Sequence, residues 1–494
     1  MFIIKAAAFV FVAVYAISLG LIFIYSAAQF HLLIHYFRRK NQRRPEATFE
    51  NEEFLPSVTV QLPVYNEPMV IGRLIDQMVQ LDYPKDRLHI QVLDDSTDET
   101  TAICEDKVQA YAQQGVHIDL IHRKGRLGFK AGALQHGLAS ARGEFIAVFD
   151  ADFLPPRDFL RKTIPYFEYP KTGVVQTRWG HLNEEYSVMT RMQAFQLNAH
   201  FSIEQSGRSQ AGYFLQFNGT AGVWRKQTIL DAGGWKADTL TEDLDLSYRA
   251  QLKGWRIQYC QDIVAPAELP IDIQGLKSQQ FRWMKGGAEN ARLRLSDLLK
   301  AEIPIAKKVH GIIHLLSSSV FLLVLILAIT SVPLAFTYPI TGIDLSIFSV
   351  FLLPLTMLAV VYYQANADTS WSKLPWWERM GKFIIEFPLF LSLSMGMSWH
   401  TSWAILEGYR NKKSTFVRTP KYNITGSHTG SAFSNRRGEK RAGIGMEGWL
   451  ALYFLMAVAS AFVTGQYAFL IYHILLLFGF GTIFMMSIHQ RYAN

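Results

Sequence analysis

Hydrophobic residues are distributed along this chain in two ways. Before residue 32, between 311 and 408 and after 448 they form long, sparsely charged runs, whereas roughly 45 to 300 alternates short apolar bursts with polar stretches. In that middle block Val58–Leu62, Leu88–Leu93, Ile118–Ile121 and Phe145–Phe149 have the length and composition of buried strands. Helical spacing follows the first of them to about Gln80, then covers Glu99–Gln113 and Ala131–Ser140. Strands alternating with helices predict an α/β fold with a mainly parallel, doubly wound sheet, whose ligands bind beyond the carboxyl ends of the strands. No Gly-x-Gly-x-x-Gly follows a strand, which argues against a nicotinamide or flavin dinucleotide site.

The long runs have the length of membrane-spanning helices, so the α/β domain is expected to sit in a helical multi-span membrane protein. Five spans are expected, at about 7–31, 311–337, 344–365, 448–466 and 469–488. Ala6 to His31 holds no Lys, Arg, Asp or Glu and is too long for a signal-peptide core, despite the cleavage-like Ser26-Ala27-Ala28. Lys5 precedes it and Arg38, Arg39, Lys40, Arg43 and Arg44 follow. The positive-inside rule then puts Met1 outside, with the middle block and the C-terminus in the cytosol.

Segment 374–408 is expected to lie in the interface or re-enter. Trp376, Met380, Phe383 and Phe387 follow helical spacing, opposed by Glu378, Lys382 and Glu386, and a full crossing would carry the basic stretch Arg410 to Arg441 outside. The expected divisions are an anchor over 1–45, a globular domain over 46–300, two spans over 301–366, interfacial helices and a loop over 367–446, and two spans over 447–494.

Composition changes this picture little. Half of the 494 residues are hydrophobic and the mean hydropathy is +0.09, as a globular domain joined to several spans requires. A formal charge of +8 could signal nucleic acid, but basic cytosolic flanks account for it and no nucleic-acid partner is expected. Two cysteines, Cys104 and Cys260, argue against a disulfide framework.

Four acidic or aromatic signatures then occur in order. Asp94-Asp95 and Asp150-Ala151-Asp152 each follow an apolar strand, and the second pair puts two carboxylates within reach of one hard cation, Mg²⁺ or Mn²⁺. Lys130 ends a Gly- and cation-rich helix start suited to phosphate. Thr241-Glu242-Asp243 begins a helix; Thr239 with Glu242 matches a capping box, and Asp243 is placed to act as general base. Gln279-Gln280-Phe281-Arg282-Trp283 combines a guanidinium for diphosphate with an indole for a sugar face.

The stretches Gln61–Glu67, Gln91–Asp98, Lys130–Leu134, Phe149–Phe153 and Phe217–Arg225 resemble the plant cellulose synthase-like A proteins and, next, the cellulose synthase-like C group, within the processive family-2 glycosyltransferases. The resemblance is dense over Leu55 to Arg292. It implies an inverting enzyme that polymerises a β-1,4-mannan, glucomannan or glucan from a GDP- or UDP-sugar and passes the growing polysaccharide across a lipid membrane, of Golgi type in a plant or the plasma membrane in a bacterium. By the same resemblance Tyr65, Glu67, Asp94 and Asp95 hold the nucleoside, Lys130, Gln279 and Arg282 the diphosphate, and Asp150 and Asp152 the phosphates and metal. Phe217, Asn218, Gly219 and Thr220 line the acceptor site under Trp283, and Asp243, beside Glu242, deprotonates the acceptor. Thr241 departs from the mannan-synthase-like form, where Val is expected.

Phe416-Val417-Arg418-Thr419-Pro420-Lys421 resembles the gating loop of cellulose synthases at Phe416, Thr419 and Lys421, with Arg418 as a further cation. Its Ser-, Gly- and Lys-rich surroundings also suit a basic linker. Two other classes share parts of this pattern: a transferase acting on a lipid or polyprenyl-phosphate acceptor, and a transporter with a degenerate transferase domain. The Gln279–Trp283 signature favours a polymerase over the first, and the intact acidic set argues against the second.

Overall fold

The computed structural model describes residues 2–40, 55–343, 352–425 and 444–492. Within 55–300 the predicted alternation forms a seven-stranded sheet of β1 (Val58–Val64), β2 (Leu88–Asp94), β3 (Ile118–His122), β4 (Phe145–Val148), β5 (Thr172–His181), β6 (Gly222–Arg225) and β7 (Arg256–Ala267), ordered β3-β2-β1-β4-β6-β5-β7. All pairings are parallel except those of β6, which runs against both β4 and β5.

Alternation along β1 explains the layering. Val58, Val60, Leu62 and Val64 point into one core with Ile75, Ile90 and Phe149, while Leu93, Ile146 and Val148 meet Leu134, Phe217 and Trp224 on the other face. Both faces are covered, so all seven residues of β1 are buried. The polar ones are paired: Gln61 Nε2 donates to Gln91 Oε1 at 3.0 Å.

Outside the sheet, four helices among the described residues are long and apolar enough to cross a membrane: Ile3–Arg38, Ser317–Thr341, Gly445–Thr464 and Leu470–Gln490. A fifth candidate, a broken span or a re-entrant loop, falls on the segment expected to lie in the interface or re-enter. Trp376–Gly396 and Ser398–Tyr409 join at a 49° bend and together pass the same length and composition test. Of the expected span 344–365, residues 344–351 lie outside the described residues, and Leu352–Ala367 is a helix of 16 residues. The basic stretch beyond residue 425 also lies outside them as far as 443.

Small residues and buried ion pairs join these helices to each other and to the globular domain. A Cβ on Gly396 would come within 2.4 Å of Gly479 O, so the two helices cross at backbone contact. Gly207 meets Leu32 O of the N-terminal helix in the same way. Lys277 Nζ donates to Glu447 Oε1 at 2.7 Å with both side chains buried, tying the helix Ile273–Lys300 to Ile444–Thr464.

Candidate active site

Loops leaving the carboxyl ends of β1, β2 and β4 converge on one cleft. Tyr65 and Glu67 come from β1, Asp95 from β2, Asp150 and Asp152 from β4. The winding of the chain reverses beside β1, which is where open α/β sheets bind ligands. β7 ends on the same rim, because β5 and β7 run together against β6, as β4 does. It delivers the buried Glu268, which sequence reasoning missed although Ala267-Glu268 follows a strand just as Phe149-Asp150 does.

Cations face these carboxylates. Lys130 Nζ, in the first turn of the helix Phe129–Ser140, pairs with Asp150 Oδ1 and donates to Gly219 O at 2.9 Å. Burial opposes the charge of Lys130, yet Asp150, Glu242 and Asp243 together outweigh it and hold the ammonium above its ordinary pKa. The segment 411–425 lies across the cleft: Lys421 donates to Asp152 Oδ2 at 2.6 Å, and Arg418 to Glu67 Oε1 at 3.1 Å. Arg282 donates to Val417 O at 3.2 Å and to Thr419 Oγ1 at 3.0 Å. Phe416 rests between two guanidiniums, 4.6 Å from Arg282 and 5.4 Å from Arg126, and Arg126 in turn lies 3.4 Å from the ring centre of Tyr65. Burial pushes Glu67 up to about 7, with Arg418 opposing.

The far wall is built by two helices locked together. Glu242 and Asp243 open the helix Glu242–Leu252. The expected capping box does not form: Thr241 takes the N-cap position without a side-chain bond to the helix end, and Thr239 Oγ1 accepts from Asn290 Nδ2 at 3.3 Å. Asn290 Nδ2 also lies 2.9 Å from Thr241 Oγ1, and a Cβ on Gly286 would sit 2.4 Å from that oxygen. Asn290 and Gly286 belong to the helix Ile273–Lys300 that carries Gln279, Arg282 and Trp283. The two motifs therefore face one cleft although they are well separated in sequence.

Asp243 lies against the backbone of Gly219. A Cβ there would stand 3.1 Å from Asp243 Oδ2, and φ of +81° already calls for glycine. Burial first, and then the neighbouring charge of Glu242, push Asp243 up to about 7; burial also raises Glu242 against the pull of Lys130. A carboxylate of that pKa can accept a proton at neutral pH and release it again.

Most of the residues singled out from sequence line this cleft: Tyr65, Glu67, Asp95, Lys130, Asp150, Asp152, Asn218 and Gly219 on the domain side, Glu242, Asp243, Gln279, Arg282 and Trp283 opposite, and Phe416, Thr419 and Lys421 above. Asp94, Phe217 and Thr220 do not reach it. Asp94 is buried and accepts from Ser96 N at 2.9 Å, Thr101 Oγ1 at 2.7 Å and His122 Nδ1 at 2.8 Å, which hold its pKa down despite burial. Phe217 packs on Trp224 and Trp235, and Thr220 Oγ1 accepts from Asp150 N at 2.9 Å. Their position supports the cleft from behind. Among the described residues no group of three or more His, Cys, Asp or Glu is placed to hold a metal ion.

Residues 56–286 match the family described as Glycosyltransferase like family 2. Over this block the chain is similar to family-2 glycosyltransferases. The chain is 41% identical over 290 residues to glucomannan 4-beta-mannosyltransferase 1 of Cyamopsis tetragonoloba, covering 56% of this chain and 55% of that one. It is 40% identical over 293 residues to glucomannan 4-beta-mannosyltransferase 2 of Arabidopsis thaliana, covering 57% and 55%. The chain thus spans about half the length of the curated relatives it matches. Among solved structures it is similar in fold to a mannosyltransferase from Pyrobaculum calidifontis in complex with GDP-Man and Mn2+, with a TM-score of 0.52 and 21% identity over 81% of this chain and all of that one.

Proposed function

We propose that this protein is a membrane-embedded, inverting hexosyltransferase that extends a β-linked polysaccharide of the mannan or glucomannan type from a GDP-sugar. The observation that carries this reading is the meeting within one cleft of Asp150 and Asp152, with Lys130 beside them, and, from the opposite wall, Arg282 and Asp243, whose pKa burial raises to about 7. Relatives that act as glucomannan mannosyltransferases support the choice of donor and product.

In this mechanism Tyr65, Glu67 and Asp95 surround the nucleoside, and Lys130 and Arg282 face the diphosphate. Asp243 takes the proton of an acceptor hydroxyl as its oxygen bonds to the anomeric carbon, and the bond from that carbon to the diphosphate breaks. One displacement inverts the centre. Asp150 and Asp152 suit a divalent cation in their chemistry, being two carboxylates that already attract Lys130 and Lys421, with donor phosphates to complete the ligand set. When bound, such an ion would neutralise the charge that builds up on the departing nucleoside diphosphate. Asn218 and Gly219 bound the acceptor side, and Trp283 offers an indole face to a sugar ring. The segment 416–421 excludes water from the donor while it is bound.

A second reading, transfer to a lipid-borne acceptor, draws on an apolar cavity of about 220 Å³ beside the cleft, lined by Met189, Met192, Leu276, Phe390 and Met486. Purified protein in lipid nanodiscs, given radiolabelled GDP-mannose, GDP-glucose or UDP-glucose, distinguishes the two. Label in a polymer that a β-1,4-mannanase degrades supports the proposal; label that partitions into organic solvent supports the second reading; no transfer from any donor contradicts both.

A further inference from the structure

Glu268 stands at the carboxyl end of β7, is 3% exposed, and makes contacts with both sides of the cleft. Its backbone N–H donates to Asp152 Oδ2 at 3.2 Å, and its carbonyl oxygen accepts from Lys421 Nζ at 2.9 Å. Its carboxylate uses both oxygens on the loop backbone, Oε1 accepting from Tyr422 N–H at 2.8 Å and Oε2 from Asn423 N–H at 2.9 Å. A buried carboxylate that spends both oxygens on a loop's backbone fixes where that loop ends, since each charge-assisted bond is stronger than a neutral one. Burial raises the pKa of Glu268, and the two N–H donors and Lys421 pull against that rise.

The loop is bracketed by two asparagines in the left-handed region, Asn411 at φ 54° and Asn423 at φ 61°, a conformation asparagine tolerates better than most residues. At the first end Asn411 Oδ1 accepts from Arg292 Nη2 at 2.9 Å, and Ser414 Oγ from the buried Lys285 Nζ at 2.9 Å. At the second end the Glu268 carboxylate holds Asn423. Between these points Arg418 and Lys421 are held to the cleft by side-chain ion pairs, to Glu67 and Asp152.

We propose that Glu268 is a positioning residue: by gripping the backbone of 422–423 it delivers the ammonium of Lys421 to the donor phosphates when that ammonium exchanges Asp152 for them. This rests on the reading of the cleft as a nucleotide-sugar site. Glu268 acts through Lys421 and does not touch the reacting atoms. Its own N–H holds Asp152 whatever the side chain is, so a side-chain substitution releases the loop and spares Asp152.

The test is a double-mutant cycle on the full-length protein in nanodiscs, with GDP-mannose turnover and the partition between transfer and hydrolysis to free sugar as readouts. Lys421→Ala is expected to lower donor kcat/KM about 100-fold and Glu268→Gln about tenfold, with the double variant no worse than Lys421→Ala alone. Glu268→Gln should also raise the hydrolysed share of donor several-fold, because the loop closes less well, and Glu268→Asp should restore part of the loss. A merely structural role predicts effects that multiply and an unchanged partition, and either result overturns the proposal. Asn423→Ala attacks the same grip from an exposed loop position and keeps the test decisive if Glu268→Gln fails to fold: it should raise the hydrolysed share, and an unchanged share refutes the grip. Wild-type protein that consumes no nucleotide-sugar defeats the reading of the cleft instead.

Discussion

The two sides of the proposed donor cleft are built from different materials. The negative side belongs to the sheet: Asp95, Asp150 and Asp152 sit one or a few residues beyond strands whose backbones are hydrogen-bonded on both sides and whose side chains are buried. Much of the positive side belongs to a loop. Arg418 and Lys421 reach Glu67 and Asp152 through ion pairs, on a segment with no regular secondary structure between two left-handed asparagines. The carboxylates are set by strand ends, and these two cations by side-chain bonds to a loop. On the proposed reading, removing a strand-end carboxylate deletes a ligand for the donor, whereas removing a loop cation alters how the site closes.

That contrast orders the expected effects. Asp152→Ala should be the most damaging change at the donor site, lowering kcat/KM by about 1,000-fold and weakening metal-dependent nucleotide binding itself, measured by calorimetry with Mn²⁺ and GDP. Retained Mn²⁺-dependent binding would place the cation elsewhere. Thr419→Ala combined with Lys421→Ala should cut turnover roughly 100-fold while leaving expression and melting temperature unchanged, because the loop is outside the domain core. Unchanged turnover would make this segment a linker. Gly219→Ala should cost about 1–2 kcal/mol, or roughly tenfold in rate, since alanine at positive φ would also press on Asp243 Oδ2. At the small end, Lys412→Ala removes a mostly exposed partner of Glu407, which keeps Lys285, and should change the rate less than twofold.

Sequence legibility follows the same division. β1, β2, β3 and β4 and the carboxylates after them were readable because an apolar run ending in Asp is a local signal. β5 and β7 were not: β7 has exposed Arg256, half-buried polar positions such as Gln258 and Gln261 and a bulge between Cys260 and Val264, and β5 carries an extra residue between Thr172 and Val174, so neither gives a clean period. Glu268 was missed with its strand. Phe217 and Thr220 are expected on the acceptor side along with Asn218 and Gly219, but the chain bends at Gly219 (φ +81°), so only Asn218 and Gly219 line the cleft while Phe217 packs on Trp224 and Thr220 bonds the N–H of Asp150. The capping box fails because the helix starts at Glu242 with Thr241 as its N-cap, which leaves Thr239 outside the helix end, bonded to Asn290, 51 residues away.

The most direct measurement is the pH dependence of donor kcat/KM for the wild type and for Asp243→Asn, with GDP binding measured alongside. Since the base must be ionised to work and burial raises its pKa to about 7, the wild-type rate should climb through neutral pH and level off above it. Asp243→Asn should bind GDP as the wild type does, transfer about 1,000-fold more slowly, and lose that rising limb. An asparagine variant that transfers at near wild-type rate, or keeps the same rising limb, would contradict the assignment of Asp243 as the base.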